Sequence, residues 1–124
     1  MAWDLDADRP IYAQIVERIQ MQIVSGLYEP GTKLPSVREL AAEASVNPNT
    51  MQKAFAELER SGLIITQRTS GRTVTEDTEM IGAIRQSLAQ EQLDYFIAKM
   101  KELGFDKDQI IAFIEKSLGE KEGE

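Results

Sequence analysis

SVRELAAEASVNPNTMQKAF, residues 36–55, holds two helix starts in close succession. Ser36 followed three residues later by Glu39 is a capping-box signature, in which hydroxyl and carboxylate satisfy each other's backbone N–H groups. Val37, Leu40, Ala41 and Ala44 then supply a short apolar face, so the spacing predicts a helix over 36–44. Ala44-Ser45-Val46 makes a brief turn. Asn47 is a strong N-cap type, and Pro48 falls where a missing N–H costs nothing. Met51, Ala54, Phe55 and Leu58 face inward, which gives a second helix over 48–61 that stops at Ser61-Gly62. Two short helices joined by a tight turn form a helix-turn-helix layout. Capping and packing explain Asn47, Pro48, Met51 and Phe55. Asn49, Thr50 and Gln52 remain, and because Asn and Thr are mediocre helix formers, solvent exposure alone does not explain them.

Outward from this unit, Ile11, Ile15, Ile19 and Ile23 recur every four residues with Val16 beside them. That stripe predicts a supporting helix over 10–25, with Asp8 as N-cap, Pro10 in the first turn and Gly26 as the stop. GLYEPGTKLP, with two Gly and two Pro, is a loop. Downstream, Leu63-Ile64-Ile65 and Arg72-Thr73-Val74 flank a Thr69-Ser70-Gly71 turn, a small hairpin that makes the helix-turn-helix a winged one. The expected fold is therefore mostly α with a small β-hairpin, the winged helix-turn-helix occupying 1–75. Residues 76–124 form a helical extension. Ile81, Ile84 and Leu88, then Leu93, Phe96, Ile97, Met100 and Leu103, predict one long helix or two with a bend near Gln90. Gly104 stops it, Asp106 caps a last helix carrying Ile110, Phe113 and Ile114, with Ile111 and Leu118 open as further members of its face, and the tail EKEGE is expected to fray.

The chain contains neither cysteine nor histidine. The usual zinc sites and nucleophile–base pairs are therefore out of reach, and no carboxylate pair stands out, so no enzyme, metal or cofactor is expected. The aspartate-rich start lacks the apolar run of a signal peptide, and a reducing cytoplasm is the expected location. Net charge is −7, which at first argues against a polyanionic partner. Its distribution reverses that: residues 76–124 carry six basic and twelve acidic groups, whereas 33–72 carry six basic and four acidic ones. The segment around the helix-turn-helix is locally basic.

GLYEPGTKLPSVRELA, residues 26–41, resembles the N-terminal signature of GntR-type bacterial transcriptional regulators, and VNPNTMQKAFAELERSGLI, residues 46–64, resembles their recognition helix and following strand. The short extension, with its G-F-x-x-x-Q-I-I segment from Gly104, is similar to the YtrA subfamily. The resemblance implies a winged helix-turn-helix that binds operator DNA as a dimer, with a short pair of helices chiefly for dimerisation. It departs at the wing, where the family reads like R-x-G-x-G-T-F-V and this chain has RTSGRTV. Thr69 stands at the first glycine and Thr73 at the aromatic, while Gly71 is kept. A threonine needing positive φ would be strained, so a reshaped or mobile wing turn is expected.

These readings nominate a DNA-contacting set. Asn49, Thr50 and Gln52 occupy the first turns of a recognition helix, where Asn and Gln can pair with adenine and Thr can reach bases or phosphate. Lys53 lies beside them as a phosphate contact. Asn47 and Pro48 are primarily the helix start, with an outward ring on Pro48. Ser36 opens a helix whose N-terminus can face a phosphate. The resemblance places a DNA-contacting arginine at Arg38, against which stands an intrahelical pair with a glutamate. Arg68, Ser70, Gly71 and Arg72 belong to the wing. Ile81, Ile84, Leu88, Leu93, Phe96, Ile97, Met100, Ile110, Phe113 and Ile114 are too many apolar positions for two isolated helices; they are expected against a second chain or the DNA-binding domain, with a homodimer interface the economical reading. Trp3 is expected against the C-terminal helices or a partner chain. The expected function is a sequence-specific, dimeric transcriptional regulator that represses by occupying a palindromic operator. A protein–protein adaptor built on the winged helix is the rival, since fold does not fix function. An unidentified small-molecule effector stays open as a further partner.

Overall fold

A computed structural model describes residues 3–69 and 71–122, without the side chains of 121 and 122. Five helices and one hairpin follow in the order α1 Ile11–Val24, α2 Val37–Ala44, α3 Pro48–Ser61, β1 Ile64–Gln67, β2 Gly71–Val74, α4 Thr78–Glu102 and α5 Lys107–Glu122. Among the described residues the strands pair antiparallel, Ile64 opposite Val74 and Gln67 opposite Gly71. No helix among these residues is long and apolar enough to cross a membrane.

The chain divides into two compact units, Met1–Arg85 and Gln86–Glu124. In the first, the isoleucine stripe of α1 does what its period requires: Ile15, Ile19 and Ile23 are buried against Leu40, Ala44, Met51, Ala54, Phe55, Leu58, Leu63, Ile64 and Val74. Small residues on α2 and α3 allow α3 to pack between α1 and α2, and the large Phe55 fills the centre. The hairpin extends this core. The loop before α2 adds a bridge, Lys33 to Thr73, closed by Leu34 N–H donating to Arg72 O and Val74 N–H to Thr32 O, each at 2.9 Å.

Several expectations change here. The expected boundary at 75/76 moves to 85/86 because Ile81 is buried in the first unit's core and Met80 and Ile84 pack on it. Ile81 and Ile84, expected in a dimer interface, therefore already have partners within their own chain. Asp8 does not cap α1; Pro10 holds that position without a side-chain hydrogen bond. The N-terminal segment is fixed instead by the buried Gln14, whose amide oxygen accepts from Asp6 N at 2.7 Å while its Nε2 donates to Asp6 O at 2.7 Å and Arg9 O at 3.1 Å. Trp3 packs on the first unit's core, with the Arg18 guanidinium 4.4 Å from its ring centre. Among the described residues Ser45 is the one non-glycine with positive φ, at 59°. Thr69 is thus spared the strain expected of it, and Gly71, at φ 80°, takes the left-handed position at the wing.

In the second unit, α4 runs unbroken through Gln90, and Asp106 starts α5 by a reciprocal cap: its Oδ1 accepts from Gln109 N and its own N–H donates to Gln109 Oε1, both at 2.9 Å. Met100 and Ile110 are buried, and the rings of Phe105 and Phe113 lie 5.9 Å apart. The tail expected to fray from Glu120 continues α5 as far as Glu122; Gly123 and Glu124 lie outside the described residues.

Candidate nucleic-acid interface

The starts of α2 and α3 and the hairpin carry the candidate surface. At α2, Ser36 Oγ accepts from Glu39 N and Glu39 Oε1 accepts from Ser36 N, each at 3.1 Å. These hydrogen bonds to Ser36 hold the Glu39 carboxyl below the usual carboxylate range. With Glu39 committed to the cap, no carboxylate among the described residues pairs with Arg38, which is exposed on the first turn. The intrahelical pair considered for Arg38 is not formed.

At α3, Asn47 Oδ1 accepts from Asn49 N at 2.7 Å and Pro48 occupies the first turn, so both serve as the helix start. Met51, Ala54, Phe55 and Leu58 lock one face into the core. Asn49, Gln52 and Lys53 are exposed on the other, at i, i+3 and i+4, and form one contiguous edge. Thr50 is half-buried at the margin of that edge, toward the turn. Ala56, a turn beyond Gln52, is exposed on the same edge and leaves it low. A low edge between polar groups lets a surface approach closely, a signal that the apolar periodicity of α3 conceals.

The wing differs from its expected form. Arg68 and Gly71 are exposed, and Ser70 lies outside the described residues. Arg72 is turned toward α3: its Nε donates to Glu59 Oε1 at 2.7 Å, and Thr66 Oγ1 donates to Glu59 Oε2 at 2.7 Å. These two donors hold the Glu59 carboxyl below its ordinary value. The guanidinium also lies 5.3 Å from the Phe55 ring centre. Arg72 thereby fastens the hairpin to α3, and its charge is neutralised. Lys33, which sequence reading passed over inside a loop, is a further cation beside the wing. It is exposed, held by its bridge to Thr73, and its Cε would lie 3.6 Å from a Cβ on Gly71.

In the second unit, Leu88, Phe96, Ile97 and Ile114 are half-buried, while Leu93 and Phe113 are exposed. Leu103, on the predicted apolar face, is exposed, as are Tyr95, Ile111 and Leu118.

A tri-helical core with a fastened hairpin and a polar, low-lying edge on its third helix defines a winged helix-turn-helix regulator. The chain belongs to the gntR family of bacterial regulatory proteins, whose sequence profile matches residues 11–74. It is 34% identical over 122 residues to the HTH-type transcriptional repressor YtrA of Bacillus subtilis (strain 168), covering 97% of this chain and 93% of that one, which places it in the YtrA subfamily. A GntR family transcriptional regulator from Listeria monocytogenes superposes with a TM-score of 0.84 at 46% identity, covering 90% of this chain and 98% of that one. The DNA-binding domain of AraR in complex with operator ORX1 matches 60% of this chain and 92% of that one, with a TM-score of 0.52 and 30% identity.

Proposed function

We propose that this regulator is a cytoplasmic repressor that binds a palindromic operator as a homodimer. The observation that carries the reading is the edge of α3: Asn49, Gln52 and Lys53 stand exposed behind a fully satisfied helix cap, beside an Arg38 that pairs with no carboxylate among the described residues. Asn49 and Gln52 offer the paired donor and acceptor that recognise adenine in the major groove, and Ala56 leaves room for a thymine methyl. Arg38, Lys53, Lys33 and Arg68 hold phosphates, which fixes position without reading sequence. Repression follows sterically from occupation of the operator, and the name of the YtrA relative supports it. The homodimer is supported by the second unit, where Leu93, Tyr95, Leu103, Ile111, Phe113 and Leu118 stay exposed on two helices. A second copy covers such a face and matches the two-fold symmetry of a palindrome.

The test is selection of duplexes from a random pool, followed by titration of the winning site. Arg38→Ala should weaken binding to all duplexes by similar factors. Asn49→Ala or Gln52→Ala should cost about 1–3 kcal/mol of discrimination at particular bases. A protein that prefers no palindrome over random duplex at moderate salt would overturn the reading.

A further inference from the structure

Lys53 differs from the other cations near α3 in what holds it. Arg60 donates to Glu57 Oε1 at 2.6 Å and Arg72 to Glu59 at 2.7 Å, so both spend their charge on carboxylates of the same helix. Lys53 has no carboxylate within ion-pair distance among the described residues. Its Nζ lies instead 3.9 Å from the ring centre of Tyr12, a half-buried residue of α1 that packs against the core. A ring face attracts an ammonium through its quadrupole but carries no net charge. The lysine is thus confined while its full positive charge stays available.

From this we infer that Tyr12 is a positioning residue for DNA binding: its ring holds the Lys53 ammonium in place for a phosphate beside the recognition edge. The inference rests on the proposed role of α3. A freely rotating lysine must be ordered when it meets a phosphate, and that cost falls on affinity. Over the Tyr12 ring much of the ordering is already present in the free protein.

The experiment is a double-mutant cycle on the selected operator, read by fluorescence anisotropy over a range of salt, with thermal melts of each variant. An exposed cation–ring contact corresponds to about two- to fivefold in affinity, so Tyr12→Leu should weaken binding by that factor. Tyr12→Phe, which keeps the ring and removes the hydroxyl, should bind like the parent. Lys53→Gln should weaken binding and flatten the salt dependence, and adding Tyr12→Leu to it should change nothing further. Equal losses in Tyr12→Phe and Tyr12→Leu would overturn the inference by making the hydroxyl the active group. So would an undiminished Tyr12→Leu loss in the Lys53→Gln background, since the ring would then act through packing alone. In both cases the role of Lys53 stands. A Lys53→Gln variant with parental affinity and salt dependence would remove the phosphate contact, and the inference with it.

Discussion

Ser45 sits at φ 59° and ψ 47° between the two helices of the reading unit. A non-glycine residue there costs roughly 1–2 kcal/mol through crowding of its Cβ. Glycine removes that cost but gives back part of it through a more flexible unfolded chain, so Ser45→Gly should raise stability by about 0.5 kcal/mol. Chemical denaturation measures it; a decrease would mean that the serine is not strained. Glu59 tests a different contact. Its carboxyl is held below the usual range by Arg72 first and then Thr66, so its contribution to stability is complete above the unfolded carboxylate value near pH 4 and is lost as pH falls through the lower folded value. Glu59→Gln should therefore cost about 1 kcal/mol at neutral pH and shrink the loss on acidification. It should also release Arg72 and increase the steepness of salt-dependent DNA binding. A neutral change in both readouts would mean the clamp is idle. Sequence reading named Arg72 from its charge and its place in the wing, but which carboxylate captures it depends on a contact thirteen positions away. Local spacing carries no trace of such a contact, and Tyr12 beneath Lys53 was hidden for the same reason.

The helices themselves were readable because their signals are local. The Ser36–Glu39 box, the Asn47 cap, Pro48 and the four-residue isoleucine stripe each act within a turn or two, and α3 spans the predicted 48–61. Asp8 failed as a cap since Gln14 anchors the segment that precedes α1 and leaves Pro10 at the helix start. At the start of α4 the sequence left two partners open, because apolar periodicity states that a face is buried, not against what; Ile81 satisfies it with the first unit's core. Phe55 ties these elements together, meeting the core on one side and the Arg72 clamp on another. Phe55→Ala should cost about 3–5 kcal/mol, a large share of the roughly 5–15 kcal/mol that holds a domain together. Calorimetry checks it, and a loss below 1 kcal/mol would show that the surrounding helices collapse into the gap.

At the scale of the whole molecule, the charge of −7 has to be reconciled with binding to a polyanion. On the proposed homodimer, affinity depends on a few well-placed cations and on linkage between two reading units rather than on bulk attraction. Ile111 is exposed on the second unit, so on the proposed dimer Ile111→Asp should leave folding intact and shift sedimentation from twice the chain mass toward a single chain. Affinity for the full palindrome should fall about 100-fold or more as the linkage disappears. A variant that sediments and binds like the parent would place the dimer contact elsewhere.

Gln14 fastens the preceding segment chiefly at Asp6, and the chain's single tryptophan lies just before that fastening, beneath Arg18. The molecule thus carries a built-in optical gauge. If the segment peels away before the core melts, the emission of Trp3 should shift to longer wavelength ahead of the loss of helical ellipticity. The gap between the two transitions would measure how firmly one glutamine side chain holds the strap.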